Sequence, residues 1–271
     1  MKKKLASIGL ALTMIFNSTA ALAYYDINSH WAKGYINEMK NMNVLNQFIG
    51  NYIEPDKPMT REECAVLISD FLEVYAGYKP PYKNNNYKFP DLRNNQNADK
   101  IRALSLMTYK SYMTGNGKDD LKIINGIKGS DGRFYYNPNE PITRAEFTKM
   151  LLSALDCFGY IMASDALISI ATDCDLHWAI RYIRNANGFG ILNGYIYHDN
   201  QGPYTVRYDL GNGVIETLPG SCYIEFRPEN QVTRAEAIKM ISKAKELDYV
   251  GLGLGTSRPI NSRDKLNYLS Y

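Results

Sequence analysis

The segment Pro138-Asn139-Glu140-Pro141-Ile142-Thr143-Arg144-Ala145-Glu146 sets the architecture of this chain of 271 residues, because it occurs three times without gaps. The same pattern of proline, three variable residues, an apolar residue and Thr-Arg-x-Glu begins again at Pro55 and at Pro228. A bulky apolar residue stands two positions before each proline: Ile53, Tyr136 and Phe226. A recurrence of this length predicts a repeat architecture in which each copy is one supersecondary unit.

Each Thr-Arg-x-Glu segment is typical of the start of an amphipathic helix. The threonine is predicted to cap the helix and the glutamate to complete a capping box, which contributes about 1 kcal/mol per helix. Apolar residues follow each segment at helical spacing. They are Cys64, Leu67, Ile68 and Phe71, then Phe147, Met150, Leu151 and Ala154, and last Ala237, Met240, Ile241 and Ala244. We therefore expect Cys64 to be a buried thiol that acts as a small apolar side chain.

A second element precedes each capped helix and is clearest in the segments from Asp26 to Ala32 and from Asp173 to Ala179. Both run from an aspartate to His-Trp-Ala and continue into a helical pattern. Because a tryptophan at the head of such a helix more often belongs to the core, one interpretation buries the indoles of Trp31 and Trp178. The middle copy keeps Phe89-Pro90-Asp91-Leu92 but has Gln96 at the tryptophan position.

The pattern predicts a mainly α fold, with three helix-loop-helix repeats in a pseudo-threefold bundle. Two short helices cannot bury both of their apolar faces alone, so the repeats are expected to share one core. The predicted repeats cover 24–78, 87–160 and 168–247, with a linker at 78–88 and a tail at 248–271. Alternating apolar residues and a Gly-Asn-Gly turn predict a β-hairpin within an insert at about 196–225 of the third repeat.

Residues 1–23 have the three parts of a secretory signal peptide, ending at Ala21-Leu22-Ala23. Cleavage after Ala23 predicts an exported protein with no membrane span. Of the four cysteines, no two are spaced like a metal-binding knuckle. An exported chain could pair its cysteines, and Cys157 with Cys174 is the least implausible bridge, but the sequence does not fix the connectivity.

Charge and chemistry exclude several function classes. The net charge of +3 is carried by Lys2, Lys3 and Lys4, so the chain after the leader is near neutral and no nucleic-acid partner is expected. The three histidines are His30, His177 and His198, and the first two belong to the repeat and are interpreted as structural. No nucleophile beside a base and no acid/base pair is evident, so neither an enzyme nor a cofactor or metal site is predicted.

The repeated arginines carry the main functional signal. Arg61, Arg144 and Arg234 stand in the first helical turn, where the helix dipole disfavours cations. Their anionic partner could be internal, namely the aspartate that recurs in every copy (Asp26, Asp91 and Asp173). Alternatively, the guanidinium and the free amides of the helix N-terminus could together bind a carboxylate or phosphate of a ligand. The spacing leaves both interpretations open.

The sequence resembles three S-layer homology domains in tandem. The resemblance rests on the Thr-Arg-Ala-Glu segments, on the variant Thr60-Arg61-Glu62-Glu63, on the two aspartate-to-His-Trp-Ala segments and on the loop Gly190-Ile191-Leu192-Asn193-Gly194-Tyr195. It implies a helical spindle whose grooves bind secondary cell wall polysaccharide, often through pyruvate-bearing amino sugars.

Carried over by motif position, the resemblance makes three sets of residues ligand-binding. Arg61, Arg144 and Arg234 would hold the negative charge, Asp26, Asp91 and Asp173 would bind sugar hydroxyls, and Trp31 and Trp178 would line the grooves. The expected function is non-covalent, non-enzymatic anchoring at the bacterial cell wall, within an S-layer or elsewhere on the cell surface. The alternative is a helical scaffold for a protein partner, with degenerate grooves.

Overall fold

In the part of the chain that the structure describes, six α-helices form the framework, two for each repeat. The structure, a computed structural model, describes residues 24–79, 89–110, 120–157, 173–174, 176–199, 205–209, 215–219 and 221–246. The first helix of each repeat is short and the second carries the capping box. In chain order they are α1 (Lys33–Asn41), α2 (Arg61–Ala76), α3 (Ala98–Leu106), α4 (Arg144–Cys157), α5 (Ile180–Gly188) and α6 (Arg234–Lys245).

The loops before the capped helices meet at the pseudo-threefold axis and close a ring of backbone hydrogen bonds. Met59 N donates to Val232 O at 2.9 Å, Val232 N to Ile142 O at 3.1 Å, and Ile142 N to Met59 O at 3.1 Å. These three residues are the apolar position of the repeated segment, and each is fully buried. The segment that defines the repeat is therefore also the segment that joins the repeats.

The helices pair between repeats. α1 packs on α6, α3 on α2 and α5 on α4, so each short helix lies against the capped helix of the repeat before it in the ring. All twelve residues of the predicted apolar stripes on the capped helices are buried, and Cys64 is a buried thiol as expected. One continuous cluster of buried residues draws on all three repeats, which confirms the shared core.

The predicted burial of the two tryptophans is wrong. Trp31 and Trp178 are 56% and 57% exposed, and the residue after each one, Ala32 or Ala179, is buried instead. The buried face of α1 continues from Ala32 through Ile36 and Met39, so the apolar stripe runs one residue later than the indoles suggest. Each tryptophan thus stands at the outer edge of a helix start.

Among the described residues, eight short strands form antiparallel pairs beside the helices. In the third repeat, β6 (Thr205–Asp209) pairs with β7 (Ile215–Pro219), which confirms the hairpin, and β5 (Tyr195–Asp199) pairs with β8 (Ser221–Glu225). In the second repeat, β1 (Thr108–Lys110) pairs with β2 (Asp120–Lys122), and β3 (Ile127–Lys128) with β4 (Phe134–Tyr135). The pairs in the second repeat were not predicted.

Some predictions fall on other parts of the chain. The leader at 1–23 and the tail at 248–271 lie outside the described residues, as does most of the linker. Cys174 is a buried thiol whose Sγ lies 3.3 Å from Asp173 Oδ1, so the bridge to Cys157 is not formed. Across the described residues, none of the helices is long and apolar enough to span a bilayer.

Candidate functional site

The repeated arginines are buried in ion pairs that link one repeat to the next. Arg61, Arg144 and Arg234 are 5–8% exposed, and each pairs with the capping-box glutamate of the following repeat in the ring. Arg61 Nη1 lies 2.9 Å from Glu146 Oε1, Arg234 Nη2 lies 2.5 Å from Glu63 Oε1, and Arg144 Nη1 bonds Glu236 Oε1.

Each glutamate of this ring has two partners. Its Oε1 faces the arginine, and its Oε2 accepts the backbone N–H of the N-cap threonine, at 3.1 Å for Thr60, 3.1 Å for Thr143 and 3.0 Å for Thr233. The threonine Oγ1 accepts the glutamate N–H in return, so all three capping boxes are confirmed. One carboxylate therefore caps its own helix and neutralises the neighbouring repeat's arginine.

The aspartates are not the partners of the arginines. Asp26 accepts the N–H groups of Ile53 and Glu54 at 3.2 and 2.6 Å. Asp91 holds Tyr136 and Asn137 in the same way, and Asp173 holds Phe226 and Arg227. The second residue of each pair has a left-handed backbone, with φ of 53° to 58°. The interpretation that the arginines have internal anionic partners is therefore correct, but these partners are the glutamates and not the aspartates.

The arginine and the aspartate hold the same buried residue from opposite sides. Arg61 Nε donates to Tyr136 O at 2.8 Å, Arg144 Nε to Phe226 O at 2.9 Å, and Arg234 Nη1 to Ile53 O at 2.7 Å. Burial opposes ionisation of Asp173, but the N–H donors of Phe226 and Arg227 outweigh it, so the pKa of Asp173 lies below its ordinary value.

The prediction of free amides at the helix N-termini is also wrong. The first N–H of each capped helix donates to a loop carbonyl of a neighbouring repeat, as Arg61 N does to Glu140 O at 2.8 Å. The second N–H donates to the carbonyl of the first proline in the neighbouring repeat's segment, as Glu62 N does to Pro138 O at 2.9 Å. The third N–H is taken by the threonine. These amides join the repeats and are not available to an anion.

An open cleft of about 260 Å³ lies beside Arg144. We call it the Arg144 cleft; its walls are Trp31 from the first repeat, Arg144 from the second, and the loop 191–195 with Glu236 and Lys239 from the third. Trp31 enters this wall because α1 packs on α6. The cleft therefore needs all three repeats to be assembled.

Lys239 gives the Arg144 cleft a cation with no carboxylate partner within salt-bridge distance in the described part of the chain. Its Nζ lies 5.9 Å from the centre of the Trp31 ring. Burial lowers the pKa of Lys239, and repulsion from Lys243 and Arg144 lowers it further, while Glu236 opposes the shift. A desolvated cation among positive neighbours favours an incoming anion.

Tyr195 closes the other side of the Arg144 cleft. Its hydroxyl donates to Glu236 Oε1 at 2.7 Å, and the Arg144 guanidinium carbon lies 5.1 Å from its ring centre. Burial raises the pKa of Tyr195, and the hydrogen bond to Glu236 adds to the shift. Tyr195 is also the first residue of β5, so the insert of the third repeat begins at the cleft.

At the equivalent place beside Arg61, the tryptophan is similarly exposed, but the lysine has different partners. Trp178 takes the position of Trp31, and Lys149 takes that of Lys239. The ammonium of Lys149, however, donates to the carbonyl oxygens of Lys122 and, at 2.9 Å, Ile123. This lysine is therefore already engaged by the backbone.

The equivalent place beside Arg234 lacks both groups. Gln96 is exposed at the tryptophan position, and the fully buried Val66 stands at the lysine position. The side chains of Asn95 and Asn97 each donate to Glu62 at 2.6 Å, which brings a further carboxylate to this place. The sequence signal for the difference was Gln96, together with the variant Thr-Arg-Glu-Glu.

Sequence reasoning missed Lys239 and assigned the ligand's charge to the arginine alone. The available signal was spacing, because a lysine follows the arginine by five residues in the second and third copies, at Lys149 and Lys239. The sequence marks Tyr195 only as the last residue of the loop that begins at Gly190. Its place in the cleft depends on the packing of the loop 191–195 against Arg144, which the sequence does not specify.

Comparison with known proteins gives one family. The family model of the S-layer homology domain matches residues 23–65 and 120–148. A cellulosome-anchoring protein of Acetivibrio thermocellus is 25% identical over 205 residues, which are 74% of this chain and 35% of that protein. Exoglucanase XynX of Acetivibrio thermocellus is 26% identical over 177 residues, 64% of this chain and 14% of that protein.

A third relative, the amylopullulanase of Thermoanaerobacterium thermosulfurigenes, is 26% identical over 197 residues, 67% of this chain and 9% of that protein. The chain therefore spans between 9% and 35% of the length of these curated relatives. These matches therefore cover only a part of each relative.

Proposed function

Because this chain belongs to the S-layer homology family, we propose that it is a non-catalytic module that anchors at the bacterial cell surface by binding secondary cell wall polysaccharide. The predicted export of the chain supports this proposal, and so does the printed name of one relative, a cellulosome-anchoring protein. The finer proposal is that the bound polymer carries pyruvylated sugars.

The observation that carries the proposal is the composition of the Arg144 cleft. The exposed indole of Trp31 offers an apolar face on which a sugar ring can stack. Lys239 stands beside it as a cation with a lowered pKa, within reach of a carboxylate on that sugar. A neutral polymer would use only the stacking surface, so the cation selects for an acidic one.

Arg144 has a smaller part in this proposal than the sequence suggested. Its Nε and Nη1 are engaged by Phe226 O and Glu236, and within the described residues Nη2 makes no hydrogen bond. The two N–H groups of Nη2 are therefore the donors that a ligand carboxylate could use. Arg61 is engaged through the same two nitrogens, whereas Arg234 uses both Nη1 and Nη2.

The aspartates act first on the protein. Asp26, Asp91 and Asp173 each use their carboxylate to fix a left-handed turn of their own repeat. A carboxylate has further lone pairs, and these residues are at least partly exposed, so a sugar hydroxyl could bind on the solvent side. We propose this contact as a secondary one.

The chain is proposed to use two sites on one polymer. The Arg144 cleft is the stronger one, and the place beside Arg61 and Trp178 is the weaker one because Lys149 is held by carbonyl oxygens. Two weak sites on a repeating polymer gain from effective concentration, so avidity exceeds the affinity of either site.

The test is sedimentation of the exported chain with purified cell walls. Walls with native polymer, walls whose pyruvyl groups have been removed, and walls stripped of polymer but not of peptidoglycan are compared. The proposal expects binding to the first, weaker binding to the second and none to the third. Equal binding to all three would favour the alternative, a scaffold for a protein partner, and would contradict glycan recognition.

A further inference from the structure

Two histidines of the repeat are placed to control the exposed tryptophans. His30 Nδ1 accepts the backbone N–H of Ala32 at 3.1 Å, and His177 Nδ1 accepts that of Ala179 at 3.1 Å. These alanines are the N-cap residues of α1 and α5. Each histidine therefore braces the turn just before the helix, which carries the intervening residue, Trp31 or Trp178; we call this hydrogen bond to the N-cap residue's own N–H the cap.

The histidine and tryptophan rings are also in contact. Their centres lie 5.3 Å apart in both pairs, with interplanar angles of 36° and 37°. Two separate repeats thus reproduce the same cap, the same ring contact and the same exposed indole. This agreement indicates a constrained arrangement, because exposed aromatic side chains without such contacts are free to change rotamer.

The middle repeat keeps the cap without the titratable group. Asn95 takes the histidine position, and its Oδ1 accepts the N–H of Asn97 at 2.7 Å. The residue between them is Gln96. Within this chain, histidine therefore occurs where the helix start carries a tryptophan, and asparagine occurs where it does not.

We infer that His30 and His177 are positioning residues for the indoles of the glycan sites, and that their protonation weakens polymer binding. This inference rests on the proposed function. The neutral ring holds the helix start, and the protonated ring releases it. The chain would then bind the wall more tightly at neutral pH than under mild acid.

The direction follows from the hydrogen bonds. Because Nδ1 accepts a backbone N–H, the proton of the neutral ring is on Nε2, which donates to Asp56 Oδ1 at 3.1 Å or to Glu229 Oε1 at 2.6 Å. A second proton would bind at Nδ1 and convert this acceptor into a donor that opposes the Ala32 or Ala179 N–H. The cap is then lost, although the bond from Nε2 to the carboxylate persists.

Charged groups that face the rings come from the loops before α2 and α6. Asp56 and Glu229 are the carboxylates that accept from Nε2, and both are largely exposed, with side chains 81% and 70% accessible. The accepted backbone N–H lies on the other side of the ring. Histidine is the side chain whose charge ordinarily changes between about pH 5 and 8, so mild acid is the relevant range.

Tryptophan fluorescence provides the test, because Trp31 and Trp178 are the two tryptophans of the sequence. The full exported chain is titrated from pH 8 to pH 5, and its wall binding is measured at both ends. We expect a fluorescence transition in this range and binding about fivefold weaker at the acid end, the size of one lost hydrogen bond.

The variants separate position from charge. His30→Asn with His177→Asn, copied from Asn95, should abolish the fluorescence transition and keep neutral-pH binding. His30→Ala with His177→Ala should abolish the transition and weaken binding at pH 8 as well. His198→Asn, in the third histidine of the chain, is the matched control and should titrate like the parent.

An unchanged transition in the double asparagine variant would overturn the inference. So would neutral-pH binding by the double alanine variant that equals the parent's, because the cap would then be dispensable. The fluorescence titration needs no polymer. If the parent titrates as expected but binds no wall at any pH, the proposed function fails while the role of the histidines in placing the indoles stands.

Discussion

The Arg144 cleft and the equivalent place beside Arg234 have the same framework and different surrounding side chains. In both, a buried arginine pairs with a capping-box glutamate and bonds the carbonyl of a buried apolar residue. Around this shared core, one has Trp31 and Lys239 and the other has Gln96 and Val66. Under the proposed function, stability and recognition are carried by different residues, and each can be altered separately.

The largest effect should come from breaking the ion-pair ring that both places share. Arg144→Met leaves Glu236 without its cation, so we expect the free energy of unfolding to fall by about 3–5 kcal/mol. Urea denaturation at pH 7 measures this change. Arg133→Met, whose ion pair with Asp131 is exposed, is the control and should cost about 0–1 kcal/mol. A loss for Arg144→Met as small as the control's would contradict the structural role of the ring.

Removal of the indole should affect binding without affecting the fold. Trp31→Ala is expected to weaken binding to purified polymer by about 2 kcal/mol, as for an aromatic residue at the centre of an interface. The exposure of Trp31 predicts little change in melting temperature. Gln96→Ala, at the equivalent position of the middle repeat, is the matched control. Calorimetry that finds the same affinity for both variants would remove the Arg144 cleft from the proposal.

Lys239→Met tests whether the positive charge of the Arg144 cleft distinguishes it from the place beside Arg234. We expect binding of pyruvylated polymer to fall by about 1.5–3 kcal/mol and to become less sensitive to salt. The parent should also lose affinity as pH rises through the lowered pKa of Lys239, because the neutral amine no longer attracts a carboxylate.

Calorimetry at several pH values measures both effects of Lys239→Met. Lys245→Met, in a lysine that already pairs with Glu38 and does not contribute to the pKa shift of Lys239, is the control. If the affinity for polymer still falls at alkaline pH in both variants, Lys239 is not the cause of that loss.

The smallest effect should come from restoring one missing group. Gln96→Trp places an indole at the exposed position beside Arg234 and is expected to add about 0.5–1 kcal/mol to binding of neutral or acidic polymer. Val66 and Glu62 remain, so no preference for pyruvylated sugar should appear at that site. A gain that depends on pyruvate would show that the framework itself supplies the charge recognition.

The capped helices were predictable because their signals are local. The capping box and the apolar stripe each lie within a dozen residues, and all of these predictions hold. The interpretation that buries the tryptophans fails for a reason of size. Trp31 and Ala32 are adjacent, both fit a helical stripe that ends at Met39, and the larger apolar side chain was assigned to the core. The packing of the three repeats around the axis instead buries the alanine, at the place where neighbouring helices approach closely.

The partners of the arginines could not be read from the sequence. Arg61 and Glu146 are 85 residues apart, and Arg234 and Glu63 are 171 apart. To assign each arginine its partner, one must know in which direction the repeats follow one another around the axis. The threefold pattern of the sequence permits either direction. Once that direction is fixed, the same rule places all three pairs.

The closed backbone ring at Met59, Ile142 and Val232 makes the three units mutually dependent. An open solenoid can lose a terminal unit and keep the rest, because each unit contacts only its neighbours. Here, deletion of any one unit would leave two buried edges with unmatched amide and carbonyl groups and one helix face uncovered. A portable cell-surface tag cut from this protein would consequently have to retain all three units, and shortened versions would be expected to unfold or to trade segments with another copy.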